Sequence, residues 1–181
     1  DHHSIDAKTG KKVSFGVVRV ANIPPCVALT QYLLNAEWSQ EIAPRVMAYH
    51  SRQVLVLRSE QEKHLDHVLK RKEKLGEQAA AFSDEVIRQH LDVTDYDNVI
   101  FILVATPVEE VGRDHDFDWA IVEPSSYRSI IQLSGRVLRH RKLEQDIQKP
   151  NIALMQYNLK GLRKAKVAFE KPGFEINNDK F

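Results

Sequence analysis

The sequence predicts a three-layer α/β fold, a mostly parallel central sheet with helices on each face. Two observations carry this expectation. Strand-like and helix-like stretches alternate along the chain, and the strand-like stretches are apolar throughout, as strands buried on both faces are.

Ser14 to Ile23 is β-branched and apolar enough for a buried strand, and Pro24-Pro25 ends it. Cys26 to Leu34 then reads as a helix with proline at its start, and Arg45 to His50 as a short strand. After the loop at Ser51, Leu57 to Lys72 places Leu57, Gln61, Leu65, Val68 and Leu69 near one helical stripe, opposite a highly charged face. Glu73 to Phe82 reads as a mobile connection, and Asp84 to Leu91 as a helix opened by Ser83. Val99 to Ala105 is the most strand-like run; Ala120 to Glu123 is a shorter strand before Pro124. Ser125 or Ser126 caps a helix running to about Arg141, and Asn151 to Tyr157 is a last strand. Ligands on such sheets bind at the carboxyl ends of the strands, so the loops beginning at Asn22, His50, Thr106 and Glu123 are expected to share one rim. The expected organisation is a flexible N-terminal edge at residues 1–12, one domain at 13–157 and a basic C-terminal extension at 158–181.

At 181 residues, 43% hydrophobic and 28% charged, the chain has the make-up of one globular domain. Its longest apolar runs are under half the ~20 residues a membrane helix needs, and residues 1–12 are too polar for a signal peptide. No membrane association and a cytoplasmic location are therefore expected. The single cysteine, Cys26, excludes an internal disulfide and a thiolate zinc cage. A formal net charge of +1 hides segregation. Ser83 to Asp118 holds ten acids against Arg88 and Arg113, whereas in Ser126 to Pro150 six bases face only Glu144 and Asp146. A segregated basic face suits a polyanion; solvated surfaces that happen to segregate are the alternative.

Several short patterns carry less. Thr9-Gly10-Lys11-Lys12 lacks the first glycine and the hydroxyl of a phosphate-binding loop. Asp1-His2-His3 stands at an unanchored terminus, and His64 and His67 flank Asp66 on a helix without a third ligand nearby. Asp114-His115-Asp116-Phe117-Asp118 has the donors for a hard cation, although a loop that keeps acids in water is the plainer account. No metal site is expected, and Cys26 reads as buried and inert.

The informative stretch runs from Val99 to Arg141 and resembles the second RecA-like domain of superfamily 2 helicases. Ala105-Thr106 with Glu110-Val111-Gly112-Arg113-Asp114 resembles that family's motif V, and Gln132-Leu133-Ser134-Gly135-Arg136-Val137-Leu138-Arg139 its motif VI, usually Gln-Arg-x-Gly-Arg-x-Gly-Arg. Tyr49-His50-Ser51-Arg52 occupies the place of motif IV. Arg136 and Arg139 stand three apart on the expected helix, so both guanidinium forks point from one face. Two such forks suit the spread charge of a transferring γ-phosphoryl group, the arginine-finger role; a surface pair that salt-bridges acids is the alternative. The resemblance implies an ATP-contacting set of Gly112, Asp114, Gln132, Gly135, Arg136 and Arg139, with Arg136 and Arg139 catalytic. It implies nucleic-acid contacts from His50, Ser51, Arg52 and Thr106, the first three of which read equally well as plain loop residues. Gly112 permits a tight turn or a close strand approach, and Gly135 lets the helix approach another backbone. Leu133 and Leu138 depart from the usual arginine and second glycine, so contacts made by those residues are not carried over.

Gly16-Val-Val-Arg19-Val-Ala-Asn22-Ile23, Asp118-Trp119, Glu123-Pro-Ser-Ser126 and Pro172-Gly-Phe-Glu175 extend the resemblance, over nearly the whole chain, to the CRISPR-associated helicase-nuclease of type I interference in its type I-F form. That family implies a full protein with an HD nuclease domain, two RecA-like domains and a C-terminal domain. It also implies ATP and Mg2+ as reactants, with single-stranded DNA, a crRNA-guided surveillance complex and the CRISPR integrase as partners. The chain itself has no phosphate-binding loop, magnesium-holding acidic box or HD motif, so it is expected to hold no tightly bound cofactor and to be inactive alone. Another superfamily 2 DNA or RNA helicase, or a non-catalytic nucleic-acid-binding α/β module, are the competing readings.

Overall fold

The computed structural model describes residues 2–74, 76–110, 112–141, 147–165 and 168. Pro172-Gly-Phe-Glu175 and the charges at Lys142, Glu144, Asp146, Lys166 and Lys171 lie outside the described residues. Strands β1 (Ser4–Ile5), β2 (Lys12–Arg19), β3 (Ile42–Tyr49), β4 (Asn98–Ala105), β5 (Trp119–Val122) and β6 (Ile152–Leu154) form one sheet. Its order is β3-β4-β2-β5-β6, parallel throughout, with β1 antiparallel to the start of β2. The helices are α1 (Ile23–Asn35), α2 (Leu55–Val68), α3 (Glu85–Val93), α4 (Tyr127–Ser134) and α5 (Leu159–Leu162).

The central strands bury both faces, and their alternation divides the core. Val13, Phe15, Val17 and Leu103 pack with Leu65, Leu69, Ile87, Leu91 and Leu133 on one side. Val18, Val20, Ile102 and Val104 pack with Cys26, Leu29 and Leu33 of α1 on the other. This is the αβα, RecA-like arrangement. Cys26 is buried in it, its thiol donating to the Val104 carbonyl and pushed up in pKa by burial.

Several boundaries differ from the sequence reading. β2 ends at Arg19, and Ile23 opens α1 with Pro24 and Pro25 in its first turn, where a proline's missing N–H has no intrahelical partner to lose. Asp84, not Ser83, caps α3, accepting from the Val86 and Ile87 N–H groups at 3.0 and 3.1 Å. The stretch read as a mobile connection delivers Ala79, Ala81 and Phe82 to the core through a 3-10 turn at Ala80–Ser83. α4, capped by Ser126, stops at Ser134 instead of running to about Arg141.

Parallel register sets Tyr49, Ala105, Arg19 and Val122 level, so the loops after them open on one rim, as expected. Glu123 locks that rim. Its carboxylate accepts from the Ala21 N–H at 2.6 Å and from the Leu159 N–H at 2.7 Å, tying the exits of β2 and β5 to α5.

At the opposite end, the segment expected to be a flexible edge is anchored at Asp6. Its buried carboxylate accepts from Arg88 at 2.8 Å and Gln78 at 3.1 Å, and closes the following turn through Thr9. Burial alone would raise the Asp6 pKa, but Arg88 and Thr9 outweigh it and hold the carboxyl at about 2, against an ordinary 3.8. A depressed carboxylate contributes its stability above the unfolded pKa and loses it as pH falls through the folded one; a drop of this size is worth about 2 kcal/mol. Asp6→Asn is therefore expected to lower the melting temperature fully above pH ~4, with the gap to wild type closing as pH falls towards 2. Melting curves across that range check it.

Gly16 explains itself by what covers it. A Cβ built there would lie 2.1 Å from the Trp119 indole, which packs directly on the β2 backbone. Gly16→Ala is expected to destabilise the fold by about 2 kcal/mol or more, read as a lower urea midpoint. Trp119→Leu in the same chain should restore part of the loss.

Candidate functional site

The candidate residues fall into two groups, and the first lies on the rim. An open groove of about 640 Å³ is lined by Asn22, Ile23, Ser51, Arg52, Thr106 and Val108, among others. Ser51 and Arg52 are exposed, and Thr106 is buried at the end of β4 with its N–H on the Tyr49 carbonyl at 3.1 Å. α1 starts in this groove with no side-chain cap from Asn22, so the positive end of a 13-residue helix fronts it. The prolines remove donors there, leaving a favourable field for an anion rather than a hydrogen-bonding nest. His50 departs from the group. Its N–H donates to Gln53 Oε1 at 3.1 Å, and its buried Nδ1 has no partner among the described residues.

The second group is a strap and a turn. After α4, residues 135–141 run alongside 112–118 instead of continuing the helix. Phe117 N–H donates to the Arg136 carbonyl at 2.8 Å, and Leu138 N–H donates to the Phe117 carbonyl at 2.9 Å. Arg136 and Arg139 are therefore not on a common helical face, and the reason is Gly135. It is the C-cap of α4, and the chain turns there. A Cβ on Gly135 would meet only the Ile131 and Gln132 carbonyls at 3.4 and 3.7 Å, ordinary contacts within its own turn, so no second backbone approaches it. Leu138 has φ +51°, a left-handed conformation costing a non-glycine residue about 1 kcal/mol, at the position where the usual motif has its second glycine.

Arg136 is buried and donates to two carbonyls of the turn, Arg113 and, at 3.0 Å, Glu110. Burial pulls its pKa below the usual range, the nearby Glu109 carboxylate opposing, and its Nε has no partner among the described residues. Arg139 is exposed, 3.4 Å from Asp114. Asp114 also meets His140 at 2.8 Å and Lys72 at 3.1 Å, which together hold its carboxyl at about 2. Gly112 has φ +66° and open space around it, so of the two sequence readings it serves a turn. Gln132 is exposed on α4. Arg19, buried at the end of β2, reaches Glu110 at 2.8 Å, the Glu123 carbonyl at 3.0 Å and Ser129 at 3.2 Å, pinning turn, rim and α4 together.

The cluster read as acids kept in water is mostly buried. Asp116 and Asp118 are inside, with Arg141 against both at 2.8 and 2.5 Å and Arg71 at 2.8 Å from Asp118. Arg141 stays above its usual pKa because Asp118 and Asp116 more than offset its burial. The acidic and basic stretches of the sequence thus neutralise one another here, which neither the polyanion reading nor the solvated one foresaw. His64 and His67 both face Asp84, at 3.8 and 3.7 Å. Among the described residues no three ligating side chains converge. Sequence reasoning does not single out Arg71 or Glu109, and it reads His115 only as part of a candidate cation cluster; Arg71 pairs with Asp118 and His115 with Asp66, partners remote in sequence, and the signal available is several charges beside strongly apolar runs.

A sequence profile of the family described as CRISPR-associated nuclease/helicase Cas3, C-terminal, matches residues 12–142. The chain is 44% identical over 179 residues to CRISPR-associated nuclease/helicase Cas3 subtype I-F/YPEST of Pectobacterium atrosepticum, covering 98% of this chain and 16% of that protein. It is 41% identical over 174 residues to the protein of the same description from Pseudomonas aeruginosa, covering 96% and 16%. The chain therefore spans about one sixth of the length of these curated relatives. The crystal structure of T. fusca Cas3-AMPPNP shares the fold with a TM-score of 0.50 at 18% identity, over 81% of this chain and 14% of that one. With the family profile covering both the turn and the strap, the chain belongs to the CRISPR-associated nuclease/helicase Cas3 family, in its C-terminal part.

Proposed function

We propose that this chain is the second motor domain, residues 13–157, of an ATP-dependent superfamily 2 DNA helicase-nuclease that moves along and degrades target DNA in type I-F CRISPR interference. Residues 158–181 then lead towards a C-terminal domain. The observation that carries the reading is the seat of Arg136. Arg136, buried and held by two turn carbonyls, fixes the strap from which Arg139 projects exposed, and that exposed guanidinium suits charge arriving from outside the domain. ATP hydrolysis needs two walls. Mg2+ and the β-phosphate fall to a preceding RecA-like domain, and this one contributes Gly112, Asp114, Gln132, Gly135, Arg136 and Arg139. The groove at Ser51, Arg52 and Thr106, with His50 behind it, takes the single-strand backbone. A cytoplasmic setting, the surveillance complex, the HD nuclease domain and the integrase belong to the same reading; among the described residues no helix is long and apolar enough to cross a membrane.

The test is ATP turnover by the full-length protein with and without single-stranded DNA. Arg139→Ala is expected to lower turnover about a hundredfold or more while leaving the melting temperature near wild type, because the side chain is exposed. Arg136→Ala should lower turnover as much and also destabilise, since it strips the turn carbonyls of their donor. Wild-type turnover in both variants overturns the assignment and favours a non-catalytic nucleic-acid-binding module. The isolated chain is expected to show no Mg2+-dependent ATP turnover.

A further inference from the structure

Helix α2 holds both groups of candidate residues at once. In the turn just before it, Gln53 accepts from the His50 N–H at 3.1 Å and donates to the Ala48 carbonyl at 3.1 Å; from the helix itself, Gln61 donates to the same carbonyl at 2.7 Å and Arg58 to the Ser51 carbonyl at 3.2 Å. One turn further, Glu62 accepts from the Tyr49 hydroxyl at 2.8 Å and pairs with Arg113 at 2.6 Å. Asp66 then meets Arg113 at 3.0 Å and His115 at 2.9 Å, and His115 reaches Glu109 at 2.6 Å with its other ring nitrogen. Arg113 is the residue whose carbonyl receives Arg136.

The contacts are electrostatically committed. Burial, then the Glu62 hydrogen bond, push the Tyr49 hydroxyl up to about 12, so it stays a donor. Burial opposes the charge on Arg113, but Glu62 foremost holds its pKa above the usual range. Burial works against the charge of Glu62 too, and the Arg113 and Tyr49 hydrogen bonds bring its pKa below the ordinary value. A partly buried, multiply bonded carboxylate between a strand end and a turn holds its partners more firmly than a solvated ion pair does.

We propose that Tyr49 and Glu62 are positioning residues that couple the His50–Arg52 loop to the seat of Arg136. This inference rests on the motor reading and deepens it. A backbone phosphate drawn onto Ser51 and Arg52 moves the loop against the start of α2. Glu62 carries that movement to Arg113, and the Arg113 carbonyl carries it to the guanidinium.

The experiment measures ATP turnover by the full-length protein against increasing single-stranded oligonucleotide, for wild type, Glu62→Gln and Tyr49→Phe. Expected are an unchanged DNA-free rate, an unchanged KM for ATP and unchanged oligonucleotide affinity, with DNA stimulation lowered about tenfold. Glu62→Asp should recover part of it. Wild-type stimulation in both variants overturns the proposal. So does an equal fall in DNA-free and DNA-stimulated rates accompanied by a lower melting temperature, which marks simple structural support. A wild-type protein that turns over ATP with no response to DNA sinks the motor reading itself, separately from these two residues.

Discussion

The arrangement around Asp118 is the constraint on which the rest of the domain depends. Its backbone N–H donates to the Phe15 carbonyl, and its carboxylate accepts from the Phe15 N–H at 2.7 Å, so one residue opens the pairing of β5 with β2. The same carboxylate neutralises Arg71 and Arg141, and Arg141 also binds Asp116 and the Phe117 carbonyl. Arg71 lies over the Phe15 ring and reaches Ser4 of β1. Two cations and two anions are thereby withdrawn from water together. Such a cluster adds little stability as a whole, yet removing one member strands the others and typically costs about 3–5 kcal/mol. What it enforces is registry. β1, β2, β5, the residues after α2 and the end of the strap are tied together through it, and a shift of any one would separate a buried charge from its partner.

The position of the strap follows. A helix continuing from Ser126 to Arg141 would carry Arg141 away from Asp116 and Asp118. Ending α4 at Gly135 and accepting the left-handed backbone of Leu138 lets residues 136 to 141 face the 112–118 loop in sequence: Arg136 to the turn carbonyls, Arg139 and His140 to Asp114, Arg141 to the buried pair. A strain of about 1 kcal/mol at Leu138 is small beside the desolvated charges it helps to satisfy. Arg136 is therefore carried by a strap registered on the turn.

How much of this could be read from the sequence depended on the range of the interaction. The sheet, the rim and the α/β layering were legible because apolar runs such as Val99 to Ala105 record burial locally, and strand ends then follow from parallel register. The end of α4 is only partly legible. Gly135 is a local stop, but the residues on either side of it suit a helix, and the partners that hold the strap beyond it lie at positions 110 to 118, some twenty-five residues away. The acidic run was misjudged for the same reason, since nothing local distinguishes a solvated aspartate from one held by Arg71. Gly16 and Trp119 stood out as family marks, but the reason, an indole lying on a bare backbone, needed the fold. Of the site residues, Ser51, Arg52 and Thr106 share the groove as read, whereas His50 turns its Nδ1 inward.

The pairing of opposite charges within the domain also bears on how it meets DNA. Composition suggested a basic face, yet Arg141 is spent on buried aspartates and Arg113 on Glu62 and Asp66. Among the described residues, the groove itself holds one exposed arginine, Arg52, two hydroxyl-bearing residues and the uncapped start of α1. A footprint that small neutralises few phosphates, so its contribution to affinity and to salt dependence is slight. Position matters more than strength at such a site. The groove borders β3 and β4, whose exits lead directly to α2 and to the turn that seats Arg136, so on the proposed reading even a weakly held backbone phosphate bears on the elements that carry the arginines. On the proposed motor reading the domain must release and regain its track at every cycle, and a small contact joined to an internal linkage suits that requirement better than a broad basic surface would.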